Sequence, residues 1–470
     1  MRVALINSNR IRPPIAPIGL DYLAEALHAA GHSVDLLDLC WADDWRTAVD
    51  SFFTGSDFRL VGLTLRNTDD CMFAGRNSFI DGFADLVAAV RQRTQGLLVV
   101  GGVGFSVMPE KVLDACGADI GIWGEGDSAF PELAGRIEAG REWRDLPHLI
   151  HQCDDGWHRN PPAAPPLDSL PRMTRSWVDN PRYFHEGGQA GFETKRGCPC
   201  PCIYCAEPIA KGSRQRLRPP SAVVDELEAL LAQGIDHLHT CDSEFNMPWR
   251  HAADVCREII RRDLGDRLRW YAYCAPAPFP PELAQLMRTA GCVGINFGAD
   301  SGDPDMLQRL RRNFTPDDIA SAMDACRHEE IAVMFDLLLG APGETESSLR
   351  RTVELMQRIR PERVGVSLGV RVYPGTPLAT QVQQEEFRPG LIGQEEPHDL
   401  LYFIDPAVAP FASDLLEELI GDDQRFFFDP IGPEKGYNYN DNQVLVDAIR
   451  SGHRGAYWDI LRRLAEDSPA

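Results

Sequence analysis

The sequence predicts an α/β protein in which a doubly wound, Rossmann-like domain precedes a partial (β/α)6 barrel and a small C-terminal α+β cap. Three observations support this prediction. Short β-rich runs alternate with amphipathic helical stretches over residues 1–150. A proline-rich stretch then interrupts the pattern, and a second series of strand–helix units follows it. A chain of 470 residues has room for two or three domains, each with its own core.

The N-terminal domain, residues 1–150, is predicted from five apolar strand candidates. Between them lie helix candidates such as GLDYLAEALHAAG, whose apolar residues recur at three and four and whose Gly31 suits the position just past a helix end. This alternation is typical of a doubly wound sheet. The strand candidates are VALIN at 3–7, SVDLLDL at 33–39, LVGLTL at 60–65, LLVVGG at 97–102 and DIGIWG at 119–124.

A linker is predicted over residues 151–185, because NPPAAPPLDSLPR cannot continue a helix or a central strand. The barrel follows over 186–380 and a substrate-capping domain over 381–470. Six strands are too few for a complete eight-stranded barrel and fit a partial one, whose chemistry belongs at the C-terminal strand ends. The strands begin at AGFETKRG, HLHTCDSEF, LRWYAYC, CVGINFGADSG, VMFDLLLGAPGET and RVGVSLGVRVYPG.

The amino-acid composition and net charge disfavour some classes of function. The chain is 44% hydrophobic and 25% charged, which is typical of a globular protein, and its net charge of −23 disfavours nucleic acid as a partner. We find no apolar run of about 18 residues and expect no membrane partner and a cytoplasmic location. The 13 cysteines are irregularly spaced, so we expect reduced thiols, some of them metal ligands.

Three cysteines form the strongest motif, in TKRGCPCPCIYCAEP after a predicted strand. Cys198, Cys202 and Cys205 have the spacing C-x3-C-x2-C, which can hold three irons of a 4Fe-4S cluster and leave the fourth iron open. A zinc site would need a fourth ligand at matching spacing, and no second C-x2-C pair occurs. Cys200 offers another register, but we interpret it as a bystander.

This motif resembles the radical S-adenosylmethionine (SAM) superfamily over roughly residues 186–380. The resemblance implies that the amino and carboxylate groups of SAM bind the fourth iron. It also places the backbone at Tyr204 near the adenine, and Asn296, Asp300 and Ser301 of GINFGADS near the adenosine or methionine. The turn GAPGE at 340–344 is similar to the turn that follows strand six in the family.

The stretch DSEFN at 242–246 departs from the family pattern. The resemblance implies that a carboxylate here, from Asp242 or Glu244, pairs with the SAM ammonium or approaches the open iron. The alternative is a helix N-cap before MPWRHAADVCREII.

The pairing of the barrel with the N-terminal domain resembles the cobalamin-dependent (class B) radical SAM family. Glycines in the strand-end loops would let the backbone approach a corrinoid closely, although such glycines also serve ordinary strand–helix turns. The expected cobalamin contacts are Asn7, Arg66, Asn67, Thr68, Gly101, Gly102, Gly104, Phe105, Ser106, Gly124, Glu125 and Gly126.

The chain lacks the Asp-x-His-x-x-Gly pattern that supplies a cobalt-binding histidine, because Ala26 stands where Asp is needed; we expect His28 to cap a helix or lie at the surface. Arg66 is then the candidate for the lower face of cobalamin, since a guanidinium offers no lone pair to a metal. Alternatively, Arg66 pairs with Asp69 or Asp70 and braces the loop.

The resemblance implies C-methylation of an unactivated or aromatic carbon via methylcobalamin, with Arg66 and Glu244 as catalytic candidates and with an external flavodoxin- or ferredoxin-type electron donor. The Arg66 loop and DSEFN resemble the branch that methylates the indole of tryptophan. The substrate would be a small molecule or amino acid.

Competing hypotheses are a non-methylating outcome (ring contraction, cyclisation or oxidation) and a cobalamin-free enzyme with a vestigial N-terminal domain. Candidate pocket residues in the C-terminal segment are Tyr437, Tyr439, Asn440, Tyr457 and Trp458.

Overall fold

A computed structural model of the chain describes residues 1–73, 75–393, 400–428 and 438–467. These residues form two seven-stranded sheets, each flanked by helices. None of the helices in these ranges is both long enough and apolar enough to cross a bilayer.

The N-terminal sheet has the strand order β2-β1-β3-β4-β5-β6-β7, and its first five strands are parallel. Separate apolar cores cover its two faces, as a doubly wound sheet requires. The predicted class is confirmed. The strands are β1 Arg2–Asn7, β2 Ser33–Asp38, β3 Leu60–Thr64, β4 Leu97–Gly101, β5 Ile120–Ile122, β6 Leu149–Cys153 and β7 Gly156–Arg159.

Helices of this domain join the strands and lie on both faces of the sheet. The predicted first helix is present, and Gly31 follows it at φ +85°, a conformation that favours glycine. The helices are α1 Ile18–Ala29, α2 Trp45–Phe53, α3 Ile80–Arg91, α4 Val103–Val107, α5 Pro109–Cys116 and α6 Gly126–Glu138, with a 3₁₀ turn at Leu39–Trp41.

The antiparallel hairpin β6–β7 corrects the sequence prediction, which began a linker at residue 151. Its loop is Asp154 and Asp155, followed by Gly156 at φ +111°. The sheet therefore extends to Arg159, and the proline-rich connection follows it. That connection carries a 3₁₀ turn at Leu167–Ser169 and helix α7, Asn180–Gly187.

The second sheet is the predicted partial barrel, with the order β19-β15-β14-β13-β12-β11-β8 and all neighbours parallel. The six predicted strands are its members β8 and β11–β15. The strands up to this point are β8 Ala190–Phe192, β9 Lys195–Arg196, β10 Arg216–Leu217, β11 His237–Thr240, β12 Arg269–Cys274, β13 Cys292–Asp300, β14 Ala332–Leu339 and β15 Arg363–Leu368.

The barrel helices pack outside the sheet and share its largest apolar core. They are α8 Glu207–Lys211, α9 Pro220–Ala232, α10 Trp249–Arg261, α11 Pro281–Thr289, α12 Pro304–Arg309, α13 Pro316–His328 and α14 Glu346–Ile359.

The C-terminal segment is partly a cap and partly an extension of the barrel. Strand β19 pairs with β15 as a seventh parallel strand, which the sequence analysis did not predict. The predicted strand over 363–375 is broken at Gly369, φ +94°, where the chain leaves the barrel for a small antiparallel sheet. The remaining elements are β16 Val370–Arg371, α15 Pro377–Gln381, a 3₁₀ turn at Arg388–Gly390, β17 Leu391–Ile392, β18 Tyr402–Phe403, α16 Ala412–Ile420, β19 Phe426–Phe428, α17 Gln443–Arg450 and α18 Tyr457–Asp467.

Buried ion pairs join the two sheets. Arg175 is fully buried and binds both Asp21 of α1, at 2.9 Å, and Glu226 of α9, at 2.7 Å. Arg371 of β16 binds Asp69 of the loop after β3 at 3.0 Å. Charges this far from solvent favour a fixed relative placement of the two sheets, because their pairing depends on it.

Candidate active site

The predicted cluster loop lies between β9 and α8. The Cys198 amide N donates to the Gly212 carbonyl O at 3.0 Å, which fixes the start of the loop. Cys198 and Cys202 are 5% and 6% exposed, and Cys205 is half-buried. The loop thus holds three thiols close to one another in sequence and largely shielded from water.

Cys200, the expected bystander, lies beside this group. Its Sγ is 3.9 Å from the Met247 Sδ, and its hydrogen bond lowers the pKa of the Cys198 thiol to about 6. In the described part of the chain, no three His, Cys, Asp or Glu side chains converge as a single metal ion would require. A cubane differs from such a site because each thiolate binds its own iron.

Arg312, which sequence reasoning missed, links the cysteine loop to β13. Its Nη1 donates to the Cys202 Sγ at 3.0 Å, and its Nη2 donates to the Gly298 carbonyl O at 2.6 Å. Its Nε lies 3.2 Å from the Asp300 Oδ2, which also accepts from the Tyr204 hydroxyl at 2.5 Å. A guanidinium in this position can bind a carboxylate in the space beside the thiols.

Glu244 faces the same space. The Arg312 Nη2 is 3.6 Å from its Oε1, and burial raises the pKa of the carboxyl to about 7. Its backbone carbonyl O accepts from the Lys195 Nζ at 2.5 Å. Glu244 therefore offers a carboxyl whose charge depends on what binds next to it.

Asp242 has a different position from the one expected of a SAM ligand. It accepts from the Thr194 amide N at 2.8 Å and hydroxyl at 2.6 Å, and it lies 3.6 Å from the Lys195 Nζ. These bonds fasten β9 to the turn after β11. Asp242 thus stabilises the strand that leads into the cysteine loop.

The two candidate SAM contacts Asn296, on β13, and Ser301, directly after it, have different hydrogen-bond partners. The Asn296 Nδ2 donates to the Asp336 Oδ2 at 2.8 Å, while its Oδ1 is buried without a hydrogen-bond partner among the described residues. The Ser301 hydroxyl instead lies 3.1 Å from that of Thr352 and accepts from the Asp303 amide N at 3.1 Å, away from the thiols. Asn296 retains an acceptor for a bound group, and Ser301 stabilises its own turn.

A cavity of about 360 Å³ lies between the N-terminal sheet and the barrel. Its lining includes Gly62 of β3, Gly19 of α1 and Phe130 of α6 on the side of the sheet, and Lys211 and Cys241 on the side of the barrel. The predicted corrinoid contacts that line it are Asn7, Arg66, Gly101, Gly102, Gly124, Glu125 and Gly126.

The other predicted corrinoid contacts do not line this cavity. Phe105 is a core residue, and the Ser106 hydroxyl accepts from the Gly124 amide N at 2.8 Å. A Cβ on Gly104 would lie 2.7 Å from the Asn67 backbone, so this glycine serves a close approach of two loops. Thr68 donates to the Asp69 Oδ2 at 2.8 Å.

The Arg66 guanidinium makes no ion pair or hydrogen bond with any residue that the structure describes, and the backbone carbonyl O of Arg66 accepts from the Gly104 amide N at 2.9 Å. The alternative that it pairs with Asp69 or Asp70 is wrong: Asp69 binds Arg371 at 3.0 Å, and Asp70 accepts from the Asn77 Nδ2 at 2.8 Å. Burial lowers the pKa of the Arg66 guanidinium. It remains a cation at neutral pH and lies in the cavity without a counter-ion among the described residues.

Aromatic side chains from β12 and from the C-terminal segment lie near Arg66. Tyr273 and Tyr457 are electrostatic neighbours of the guanidinium, and the Tyr439 ring contacts that of Tyr457 at 5.8 Å. The Tyr457 hydroxyl and the Trp458 Nε1 are buried without hydrogen-bond partners among the described residues. Asn440 bonds locally to Asn438, and Tyr437 lies outside the described residues.

Comparisons with known proteins agree with this geometry. Residues 192–356 match the Radical SAM superfamily and residues 6–134 match the B12 binding domain. The chain is 36% identical over 446 residues to tryptophan 2-C-methyltransferase of Streptomyces laurentii, covering 82% of this chain and 74% of the relative. The chain belongs to the cobalamin-dependent radical SAM methyltransferases.

Solved structures extend the likeness. TsrM from Kitasatospora setae, a radical SAM methyltransferase solved with tryptophan and a SAM analogue, has a TM-score of 0.91 at 32% identity, with 99% of this chain and 98% of that chain covered. OxsB, a cobalamin-dependent radical SAM enzyme, has a TM-score of 0.72 at 15% identity, covering 86% of this chain and 64% of that chain, and shares the fold.

The methyltransferase family's cofactors are cobalamin, a 4Fe-4S cluster and SAM, and the two sites fit them. A Cβ on Gly19 would meet nothing within 4 Å, and one on Gly126 would come no closer than 3.8 Å to Leu23, so open space adjoins both glycines. No histidine is among the described residues that line the cavity, as the missing Asp-x-His pattern predicted. The Asn296 Oδ1 and the Arg312 Nε are buried without hydrogen-bond partners among the described residues, and they offer an acceptor and a donor for SAM.

Proposed function

We propose that this methyltransferase adds a methyl group to an aromatic ring carbon of an indole amino acid, tryptophan or a close analogue. The proposal rests on the aromatic side chains near Arg66, Tyr273 of β12 and Tyr457 of α18, together with an Arg66 guanidinium that has no ion pair or hydrogen bond among the described residues. The relatives named for tryptophan methylation support the choice of indole. A flat apolar ring with a polar amino-acid end suits such a pocket.

Arg66 would lie at the lower face of bound cobalamin. A guanidinium has no lone pair, so it occupies the space without ligating cobalt. Because its guanidinium forms no ion pair among the described residues, its positive charge is available to whatever binds next to it in the cavity. When bound, cobalamin supplies a methyl carrier, and SAM held at the cluster supplies the methyl group.

On the barrel side, Cys198, Cys202 and Cys205 would hold the cluster. Arg312 would bind the SAM carboxylate through its Nε, which is buried without a hydrogen-bond partner among the described residues. Glu244 would meet the ammonium or the open iron, and a cation there would draw its pKa down from about 7. Tyr204, Asn296 and Asp300 would contact the nucleoside and amino-acid parts.

The proposed reaction also needs electrons to bring the metals to their active states, and we propose a flavodoxin- or ferredoxin-type protein as their source. The chain would act on a freely diffusing small molecule, since a cavity of about 360 Å³ lined by its own residues suits a ligand of that size.

The test of the substrate is a panel of tryptophan, 2-methyltryptophan and phenylalanine with the reconstituted enzyme, followed by mass spectrometry. We expect tryptophan alone to gain one methyl group. Equal methylation of 2-methyltryptophan would move the target to another ring position, and no methylation of tryptophan or the other two would refute an indole amino acid as substrate.

A further inference from the structure

The cysteine loop reaches the protein surface at two prolines. Pro199 and Pro201 are exposed, although they alternate with the buried Cys198 and Cys202. The neighbouring segment 212–214 is also exposed and touches the loop through the Cys198 amide and the Gly212 carbonyl, 3.0 Å apart. An electron donor in solution would therefore meet the cysteine loop at this exposed side.

Three exposed arginines surround this surface, each tied to the loop through a neighbouring residue. The backbone of Arg214 packs so closely on Gly197 that any Cβ at that glycine would clash with the Arg214 carbonyl O. Arg311 stands between Leu310, whose carbonyl accepts from the Ile203 amide at 3.3 Å, and Arg312.

Arg250 is the third exposed arginine near the cysteine loop. It lies in the first turn of α10, three residues after Met247, whose Sδ is 3.9 Å from the Cys200 Sγ. The Met247 carbonyl O also accepts from the Gln215 Nε2 at 2.7 Å, which joins this turn to the segment that carries Arg214. The three arginines therefore approach the loop from three different elements.

These guanidinium groups lack partners. Arg214, Arg250 and Arg311 form no ion pair or side-chain hydrogen bond with any residue in the described ranges. The stretches 197–217 and 306–313 contain one acidic residue, Glu207, whose side chain is 32% exposed and pairs with Lys211 at 3.0 Å, although the chain as a whole carries a net charge of −23. A local positive surface on so acidic a protein favours a negatively charged partner at this place.

We propose that this surface, defined by Pro199, Pro201, Arg214, Arg250 and Arg311, docks a small acidic electron-transfer protein of the flavodoxin type. The inference rests on the proposed function for its need of electrons. Docking passes one electron from the reduced flavin to the cluster; the flavin is oxidised by one electron, the cluster is reduced by one, and no bond is made or broken. Weak, short-lived complexes of this kind use small charged interfaces.

The test measures the oxidation of a reduced, acidic flavodoxin by the holoenzyme under anaerobic stopped flow. The variant carries Arg214→Glu, Arg250→Glu and Arg311→Glu together. The matched control carries Arg267→Glu, Arg288→Glu and Arg358→Glu; these arginines are also exposed and unpaired among the described residues, and they lie at the N-terminal ends of barrel strands, opposite the cysteine loop. Both variants change the net charge equally.

We expect the second-order rate constant for flavodoxin oxidation to be about tenfold or more lower in the docking variant than in the wild type at low salt. The difference should shrink as added salt screens the charges. The control should match the wild type. An unchanged rate in the docking variant, or an equal loss in the control, would overturn the proposal. Iron content and circular dichroism confirm that each variant is folded and loaded.

Photoreduced deazaflavin, a small uncharged reductant, separates this inference from the proposed function. All variants should methylate tryptophan equally with it. If the wild type fails to methylate with deazaflavin, the proposed function fails, while the docking surface is still judged by the flavodoxin oxidation rate.

Discussion

Arg312 shows what a single residue contributes to this site. It lies 110 positions from Cys202 in sequence, yet its Nη1 donates to the Cys202 Sγ at 3.0 Å. No local pattern in LRRN signals this role, because the contact exists only after β13 and the following helix fold back on the cysteine loop. The cysteines themselves were predictable, since all three lie within one loop.

The roles of the four cysteines in the loop give a direct prediction. We expect Cys202→Ala to lose most of the iron and the visible absorption of the reconstituted cluster, because it removes one of three ligands. Cys200→Ala should keep both. Iron analysis of the two variants, prepared in parallel, checks this; a loss of iron in Cys200→Ala would move the ligand register to that residue.

Arg66 gives a second prediction at this scale. We expect Arg66→His to place a ligating nitrogen where the wild type has none, and to lower methylation at least tenfold while cobalamin is retained. Electron paramagnetic resonance of the Co(II) form should show coupling to one axial nitrogen in the variant only. The same coupling in the wild type would contradict a ligand-free lower face.

At the scale of elements, long apolar runs were predictable and short pieces were not. Strands such as β1 and β14 follow runs rich in Val, Leu and Ile, which are typical of strands buried on two faces. Strand β19 has three residues and no periodicity of its own, so only its pairing with β15 identifies it. The sequence does contain a turn signal for hairpin β6–β7, Asp-Asp-Gly. The proline-rich stretch that follows it is more conspicuous and led to the prediction of a linker.

The attachment of β9 to the turn after β11 predicts how the cysteine loop is stabilised. We expect Asp242→Asn to lower the free energy of unfolding of the apoprotein by about 3 kcal/mol, because Lys195, 2% exposed, would lose its carboxylate partner. Urea unfolding measures this. Asp254→Asn, which breaks the exposed pair with Arg257, is the control and should cost under about 1 kcal/mol; equal losses would contradict a special role for Asp242.

At the scale of the whole molecule, the cofactor sites depend on how the two sheets are held together. Glu125, expected to contact cobalamin, pairs with Arg216 of β10, and Arg196 of β9 lies 3.2 Å from it. Neither contact is readable from sequence, because each joins segments about 70 to 90 residues apart that local patterns do not relate. The sequence predicted the two domains; only the structure places their sites against each other.

The buried Arg175 predicts the coupling between the sheets. We expect Arg175→Met to destabilise the protein by about 3–5 kcal/mol, because Asp21 and Glu226 would remain buried without their cation. Differential scanning calorimetry should show the two domains unfolding at separate temperatures. Arg182→Met, at an exposed pair with Glu186, is the matched control, and an unchanged single transition in Arg175→Met would refute the coupling.

Methyl transfer by the proposed route requires both domains at once, and one measurement tests this requirement most directly. The enzyme is reconstituted with its cluster, with and without cobalamin, and given deuterated-methyl SAM and tryptophan. We predict that mass spectrometry finds the intact deuterated methyl group on the indole ring only in the cobalamin-loaded sample. Labelled product of equal yield without cobalamin, or none in the loaded sample, would contradict the account.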